Sequence, residues 1–503
     1  MANSRLFIFI LLLIIGLFVH YPSFYLSLYG DDWLTIYLYF VPDGDPARFG
    51  SLPGLLSFLT PYGPSILLIG KLYEIFSTNY YFYFIVSFIL KLFASWVLFL
   101  SVQQITKSKI ISFLVSLLFL VGFTGIQTTD WVFYMNVYLA AALFFLSVYF
   151  QFKFFETYKK KDLIYQLLFS ITAIIAAPVR LFPLILTIPL TEIVLYFNRK
   201  KEISRVAAKL AIFFIIIILL WIIGVFGGVG RIYSPDAWSI KEFFEFIVKN
   251  PLYSLNSFLY WIGIVTFPDY PNVQLFKPEL TGFLFLTFFT LGLVLSRKDR
   301  EKFTLIMISG LTFLIFLISM WFYSKLRLSS SSDRYLLLPF AGFCILTGIL
   351  SARFFNYFKI GVIFFLVMLI GINFLATKSI YSYWLDQGRS SDYISAVDAQ
   401  LKKDFPKPLK SLTIIYIEPD DAGVEQSTVF GMAFKIAVFS KTWNDNLIPH
   451  VVDEKKVLIK KIDEQIAKGA VKEDVISNVY GYKIHNKKFT SITPQIRAEL
   501  LLL

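Results

Sequence analysis

The chain has 503 residues, of which 57% are hydrophobic, 19% aromatic and 16% charged, against about 45–50% apolar and about 25% charged in a typical soluble domain. Phe alone occurs 56 times, more apolar surface than one aqueous core can bury, so much of the chain has a bilayer as its solvent. The net charge of +13 does not point to nucleic acid, because much of the positive charge sits in short clusters between apolar runs.

The first of those runs, Leu6 to about Leu28, follows Arg5 and lacks an A-x-A-like cleavage site. It is longer than a signal-peptide core, and reads as a retained signal anchor with a cytoplasmic N-terminus. Crossing the hydrocarbon takes about 20 apolar residues. On that measure helices are predicted near 6–28, 80–102, 110–126, 131–152, 163–177, 178–197, 206–229, 280–296, 303–323, 335–352 and 359–376, eleven in all. The clusters Lys107/Lys109, Lys159/Lys160/Lys161, Arg199/Lys200/Lys201/Arg205 and Arg297/Lys298/Arg300/Lys302 then fall on the same side as Arg5, the positive-inside pattern of cytoplasmic loops. Segment 163–197 is broken by Pro178 and Pro183. Proline removes a helix donor and clashes with the preceding turn, so a helical hairpin turning near Ala177-Pro178 at the outer face is predicted.

Two outer loops are long. The first, about 29–79, holds "GPSILLIGKLYEIF", short for a span and suited to an amphipathic interfacial helix. The second, about 230–279, holds "AWSIKEFFEFIVKN" and a Pro-rich stretch, with a partly embedded helix near 253–267. After about Thr377 the composition turns mixed and charged, with a strand-like "SLTIIYI" and a helix-like "EKKVLIKKIDEQIAKG". The predicted fold is therefore mainly α: a polytopic transmembrane helical bundle over 1–377 and a small extracytoplasmic α/β domain over 378–503, in a plasma (inner) membrane.

Cys344 is the only cysteine, which excludes an intramolecular disulfide and a Cys-based metal site. His20, His450 and His485 are scattered without metal-ligand spacing, and no P-loop, Rossmann glycine fingerprint or H-E-x-x-H occurs.

The candidate chemistry lies elsewhere. Asp31 and Asp32, in "SLYGDDWLTIYLYF", follow the first span directly; adjacent carboxylates repel and are costly to desolvate, so a cation, a basic partner or a shared proton is expected beside them. Asp130, in "IQTTDWVFYMNVYL", shares their membrane face by topology, either in the same site or as a helix cap. Arg180, in "AAPVRLFPLILTIPL", is a charge in an apolar hairpin, costing about 2.5–3.5 kcal/mol on insertion scales; it binds phosphate or snorkels to the interface. Arg334 and Tyr335, in "SSSSDRYLLLPF", open a late span; a guanidinium suits phosphate oxygens, and a local pair with Asp333 is the plainer reading. Lys91 sits mid-span, where lysines are uncommon.

A first span, an acidic pair opening a long outer loop, a second acidic residue on the same face, and an "RYLLLP" element together resemble the GT-C glycosyltransferases, notably the protein O-mannosyltransferase and aminoarabinose-transferase branches. That resemblance implies an inverting enzyme moving a sugar from a polyprenyl-phosphate-linked donor to a glycan, lipid or protein acceptor on the outer face, with membrane lipids as further partners. It implies Asp31 or Asp32 as base, Arg180, Arg334, Tyr335 and Lys91 toward the donor phosphate, and a divalent cation, Mg or Mn, near Asp32 and Asp130. The alternative is a polytopic transporter or lipid flippase; those commonly show repeats and broken midplane helices, and no repeat is visible here. A surface-polysaccharide polymerase would need essential arginines in a late outer loop, for which Arg231 is a weak match.

Overall fold

A computed structural model describes residues 2–41, 60, 62–157, 159–181, 183–199, 203–223, 225, 240–269, 277–323, 331–418 and 428–502. Arg231 and the central part of the first outer loop lie outside them.

Among the described residues each of the eleven predicted segments overlaps a helix. Seven helical stretches are long and apolar enough to cross a membrane: Arg5–Tyr25, Tyr81–Thr106, Val132–Thr157, Pro278–Ser296, Arg300–Ser319, Arg334–Phe355 and Lys359–Arg389. Lys109–Val121, Leu184–Val194 and Ala207–Ile222 are shorter apolar helices. The predicted hairpin is present as Lys160–Ala176, a turn Pro178–Leu181, and Leu184–Arg199. The chain is thus an integral membrane protein, mainly helical, with the apolar outer faces of helices such as Lys359–Trp384 and Ile203–Ile222 left exposed for lipid.

Caps and turns set the helix boundaries at both ends of the bundle. Ser108 accepts from Ile111 N to start one helix, while Lys107 turns the preceding one through a left-handed φ of 59°. Asp333 accepts from Tyr335 N at 2.8 Å and so fixes the entry to the Leu337–Phe355 helix. Gly125, at φ +77°, lies where a Cβ would come 2.6 Å from the Leu337 backbone, so this helix start and the loop before Asp130 touch main chain to main chain.

Helix ends that carry the basic clusters meet at one end of the bundle, where Lys107 pairs with Glu156 at 2.7 Å and Arg353 donates to the Leu295 carbonyl. At the opposite end the Asp31–Phe40 helix packs beside Gly63–Phe76, the predicted amphipathic helix. In the second outer loop the helix predicted near 253–267 is Pro251–Thr266, and a further helix, Ile240–Lys249, precedes it.

Beyond the last span the helix runs on to Trp384, past the compositional change at Thr377, then turns through Leu385–Arg389 into Ser391–Asp404. A four-stranded sheet follows, β1 Ile414–Glu418, β2 His450–Val452, β3 Val479–His485 and β4 Lys488–Ser491, in the order β2-β1-β3-β4. β1 runs parallel to β2 and β3, and β4 closes an antiparallel hairpin with β3. Strand side chains alternate between faces, and both faces are covered here. Ile415, Ile417, Tyr482 and Ile484 join the core continuous with the bundle, while Ile414, Tyr416 and Val479 pack in a separate cluster with Leu458, Ile462 and Leu500.

Candidate active site

The acidic pair opens the Asp31–Phe40 helix, with Gly30 in the N-cap position at φ +54°. A Cβ at Gly30 would fall 1.9 Å from the Phe430 ring, and one at Gly431 would fall 2.5 Å from Gly30 O. Two glycines therefore let the C-terminal part of the chain press directly on the backbone that presents the carboxylates. The helix N-terminus also favours negative charge there.

The two carboxylates have different surroundings. Asp32 is fully buried, and both its oxygens are used: Tyr29 N donates to Oδ2 and Phe133 N to Oδ1, each at 2.9 Å. It thereby ties the first outer segment to the loop after Asp130. Burial, only partly offset by these two donors and by Arg389, pushes its pKa up to about 7. Asp31 is half-buried, and its pKa is raised by burial against the opposing pull of Arg334.

Asp130 ends the short Gln127–Asp130 helix and is buried in an ion pair with Arg389, which also donates from Nη2 to the Asp130 carbonyl at 3.4 Å. Its pKa is raised by burial and lowered by Arg389. Its carboxylate thus faces a guanidinium, and no side-chain cap is made at the Val132–Tyr134 turn that follows.

Arg180 does not snorkel: it is 4% exposed, with its guanidinium carbon 3.7 Å from the Tyr335 ring centroid and 4.9 Å from that of Tyr134. Arg334 lies 4.0 Å from the Trp131 ring and about 5 Å from those of Tyr134 and Tyr335. It does not pair with Asp333, which caps the next residues. Its Nη1 donates a long hydrogen bond, 3.5 Å, to Gln127 Oε1. Arg180 Nη1 and Arg334 Nε are buried without a hydrogen-bond partner. Aromatic faces hold guanidinium by cation–π attraction without neutralising its charge, so Tyr134 and Tyr335 hold two cations, each with one buried N–H that has no hydrogen-bond partner. Tyr62, from the first outer loop, feels Tyr134, Arg180, Tyr335 and Asp31 together, and burial raises its pKa.

Lys91 is not brought to this pair. It is buried in the Tyr81–Thr106 helix, 3.5 Å from Gly122 O and 5.7 Å from the Tyr138 ring, a residue four positions beyond Tyr134. A role at the donor phosphate has no geometric support there.

The residues present do not fit a cation held by Asp32 and Asp130. Mg²⁺ needs at least one or two carboxylate oxygens free to face it, with water or phosphate filling the rest of an octahedron; here the Asp32 oxygens accept backbone N–H groups and Asp130 faces a guanidinium. Among the described residues no group of three or more His, Cys, Asp or Glu side chains could hold a metal ion.

Sequence reading missed Arg389, Tyr62, Tyr134, Trp131 and Phe430. Arg389 joins Asp130 across 259 positions, a separation no local spacing announces. Trp131 and Tyr134 had a signal, since they directly follow Asp130 in "TDWVFY".

Protonation of Asp32 is favoured by the fold, its pKa of about 7 standing above an unfolded value of about 3.9. The stability this contributes is fully present below the unfolded value and is lost as pH rises through about 7. Wild-type thermal stability is therefore expected to fall with pH across this window more steeply than that of Asp32→Asn. Equal slopes in thermal unfolding from pH 5 to 8, a window of about three units around the shifted value, would show that Asp32 is already ionised.

No protein-family model matches this sequence, and no curated protein does. Among solved structures the chain is similar to the archaeal oligosaccharyltransferase AglB from Archaeoglobus fulgidus, determined with an inhibitory peptide and a dolichol-phosphate: TM-score 0.55 and 11% identity, covering 96% of this chain and 69% of that one. It also matches ArnT from Cupriavidus metallidurans in the apo state, at TM-score 0.49 and 10% identity over 100% of this chain and 95% of that one. At such identity the likeness is one of fold: the chain shares the fold of the archaeal oligosaccharyltransferase, and a mainly helical transmembrane bundle is what the sequence led one to expect.

Proposed function

We propose that this protein is a membrane glycosyltransferase that moves a sugar from a polyprenyl-phosphate-linked donor to an acceptor hydroxyl on the outer membrane face, with residues 378–503 on that side. The observation that carries the reading is the guanidinium pair: two cations, Arg180 buried and Arg334 half-buried, stacked on Tyr134 and Tyr335, neither ion-paired to a described carboxylate, beside a half-buried Asp31. A buried charge left open in this way is costly, and a phosphate oxygen arriving with the donor would relieve it.

Asp31 then serves as the base. The acceptor hydroxyl attacks the anomeric carbon and gives its proton to the Asp31 carboxylate, while the bond from that carbon to the phosphate oxygen breaks with its electron pair going to the phosphate. Arg180 and Arg334 meet the charge that develops on the leaving phosphate, and attack opposite that group inverts the anomeric centre. Asp32 is already committed to two backbone donors, so it orients the helix start and does not take the proton. Purified protein in lipid, supplied with labelled polyprenyl-phosphate sugars, is expected to release the lipid phosphate and form a new glycoside. A donor panel that neither binds nor reacts would refute the reading and return the weight to a transporter.

A further inference from the structure

The family resemblance implies a divalent ion near Asp32 and Asp130, and the structure places an arginine against Asp130. Arg389 reaches Asp130 with its guanidinium at both the carboxylate and the carbonyl. The same guanidinium lies 3.9 Å from the Tyr29 ring, and Tyr29 N is one of the two donors to Asp32. Its own carbonyl accepts from Ser27 N at 2.9 Å and from Ser27 Oγ at 3.1 Å, beside an isolated bridge between Leu26 and Ser390. One residue thus joins the three segments that build the site: 26–32, the loop through Asp130, and the turn after the last span.

Arg180, Arg334 and Arg389 bring three arginines to the site, and Asp130 feels both Arg389 and Arg334. Of these arginines, Arg389 alone is ion-paired among the described residues, which leaves Arg180 and Arg334 for an incoming anion. Both side chains of the Asp130–Arg389 pair are about 5% exposed or less. A buried pair of this kind is strongly destabilising to break on one side only.

We propose that Arg389 is the resident cation of this site: a positioning residue whose guanidinium fills, against Asp130, the place a divalent ion would take, so that the arrangement of the acidic residues needs no metal. The inference rests on reading this acidic cluster as the reacting site, but its test is a binding measurement made without turnover, so either can fail alone.

The probe is Mn²⁺, titrated into purified protein in neutral-lipid nanodiscs and followed by the electron paramagnetic resonance of the free ion. Wild type is expected to show no saturable binding at the cluster. Arg389→Ala and the bulkier Arg389→Gln leave Asp130 without its cation and are expected to bind Mn²⁺ stoichiometrically, with that binding lost when Asp130→Asn is added. Arg389→Lys, which keeps the charge, is expected to behave as wild type. Saturable binding to wild type that Asp130→Asn abolishes would overturn the proposal. So would folded Ala and Gln variants that bind nothing, since the guanidinium would then be only a clasp between segments. Failure of both variants to fold even with Mn²⁺ present also counts against it, because an ion in that place should take over the guanidinium's part.

Discussion

Asp31→Asn is expected to lower sugar transfer by about 10²- to 10⁴-fold, the usual contribution of a positioned general base, while leaving the fold and donor binding nearly intact. The reason lies in how the adjacent carboxylates are used. Asp31 is half-buried, and no hydrogen bond enters its electrostatic balance, which consists of burial and the Arg334 charge. An amide of the same shape can stand there without breaking a contact, but it cannot accept the acceptor's proton. Asp32→Asn should show the opposite pattern. One of its two buried backbone acceptors becomes an NH₂ group facing Tyr29 N or Phe133 N, and a buried donor left without a partner costs about 1–3 kcal/mol. Lost stability with partial activity in Asp32→Asn, against a stable and inactive Asp31→Asn, is the expected split. The reverse result would exchange the roles of the pair.

The second large effect falls on donor binding. Removing the Arg334 guanidinium, in Arg334→Ala, is expected to weaken binding of a polyprenyl phosphate roughly 10- to 100-fold, since hydrogen bonds to charged groups contribute about 1.5–3 kcal/mol. Arg334→Lys should recover only part of this. An ammonium keeps the charge but loses both the planar fork and the stacking on an aromatic face, and Arg334 sits 4.0 Å from the Trp131 ring with Tyr134 and Tyr335 beyond it. Arg180→Ala should act in the same direction, because Arg180 uses the same two tyrosines. The measurement is equilibrium binding of a short-chain polyprenyl phosphate to each variant in nanodiscs, with the parent alcohol as control. Unchanged affinity in both alanine variants would remove the guanidinium pair from the donor site.

The bundle was legible in the sequence because its signals are local. Spans of sufficient length, basic clusters at one set of ends, and the Pro178 break are each contained within a few turns of chain, and each corresponds to a helix or a turn in the structure. Even "GPSILLIGKLYEIF" marks the bounds of its helix, Gly63–Phe76. The site was legible only in part. Asp31, Asp32, Asp130, Arg180, Arg334 and Tyr335 all reach one end of the bundle, because topology alone sends them there. What topology cannot give is which charges are spent on one another. Asp130 meets Arg389, and Asp32 meets the Phe133 amide, through contacts between segments 259 and 101 positions apart. Lys91 shows the converse. A mid-span charge invites a functional reading, yet the helix packing turns it toward Gly122 O and Tyr138 and away from the guanidinium pair.

The most direct test of the account is single-turnover transfer by wild-type protein in lipid. Labelled polyprenyl-phosphate sugars and, in parallel, nucleotide sugars are supplied together with a mixed pool of glycan, lipid and peptide acceptors. Release of polyprenyl phosphate with the label in a new product, and none from the nucleotide sugars, is the predicted result. Transfer from nucleotide sugars alone, or no binding and no reaction with any polyprenyl-phosphate donor, would contradict it.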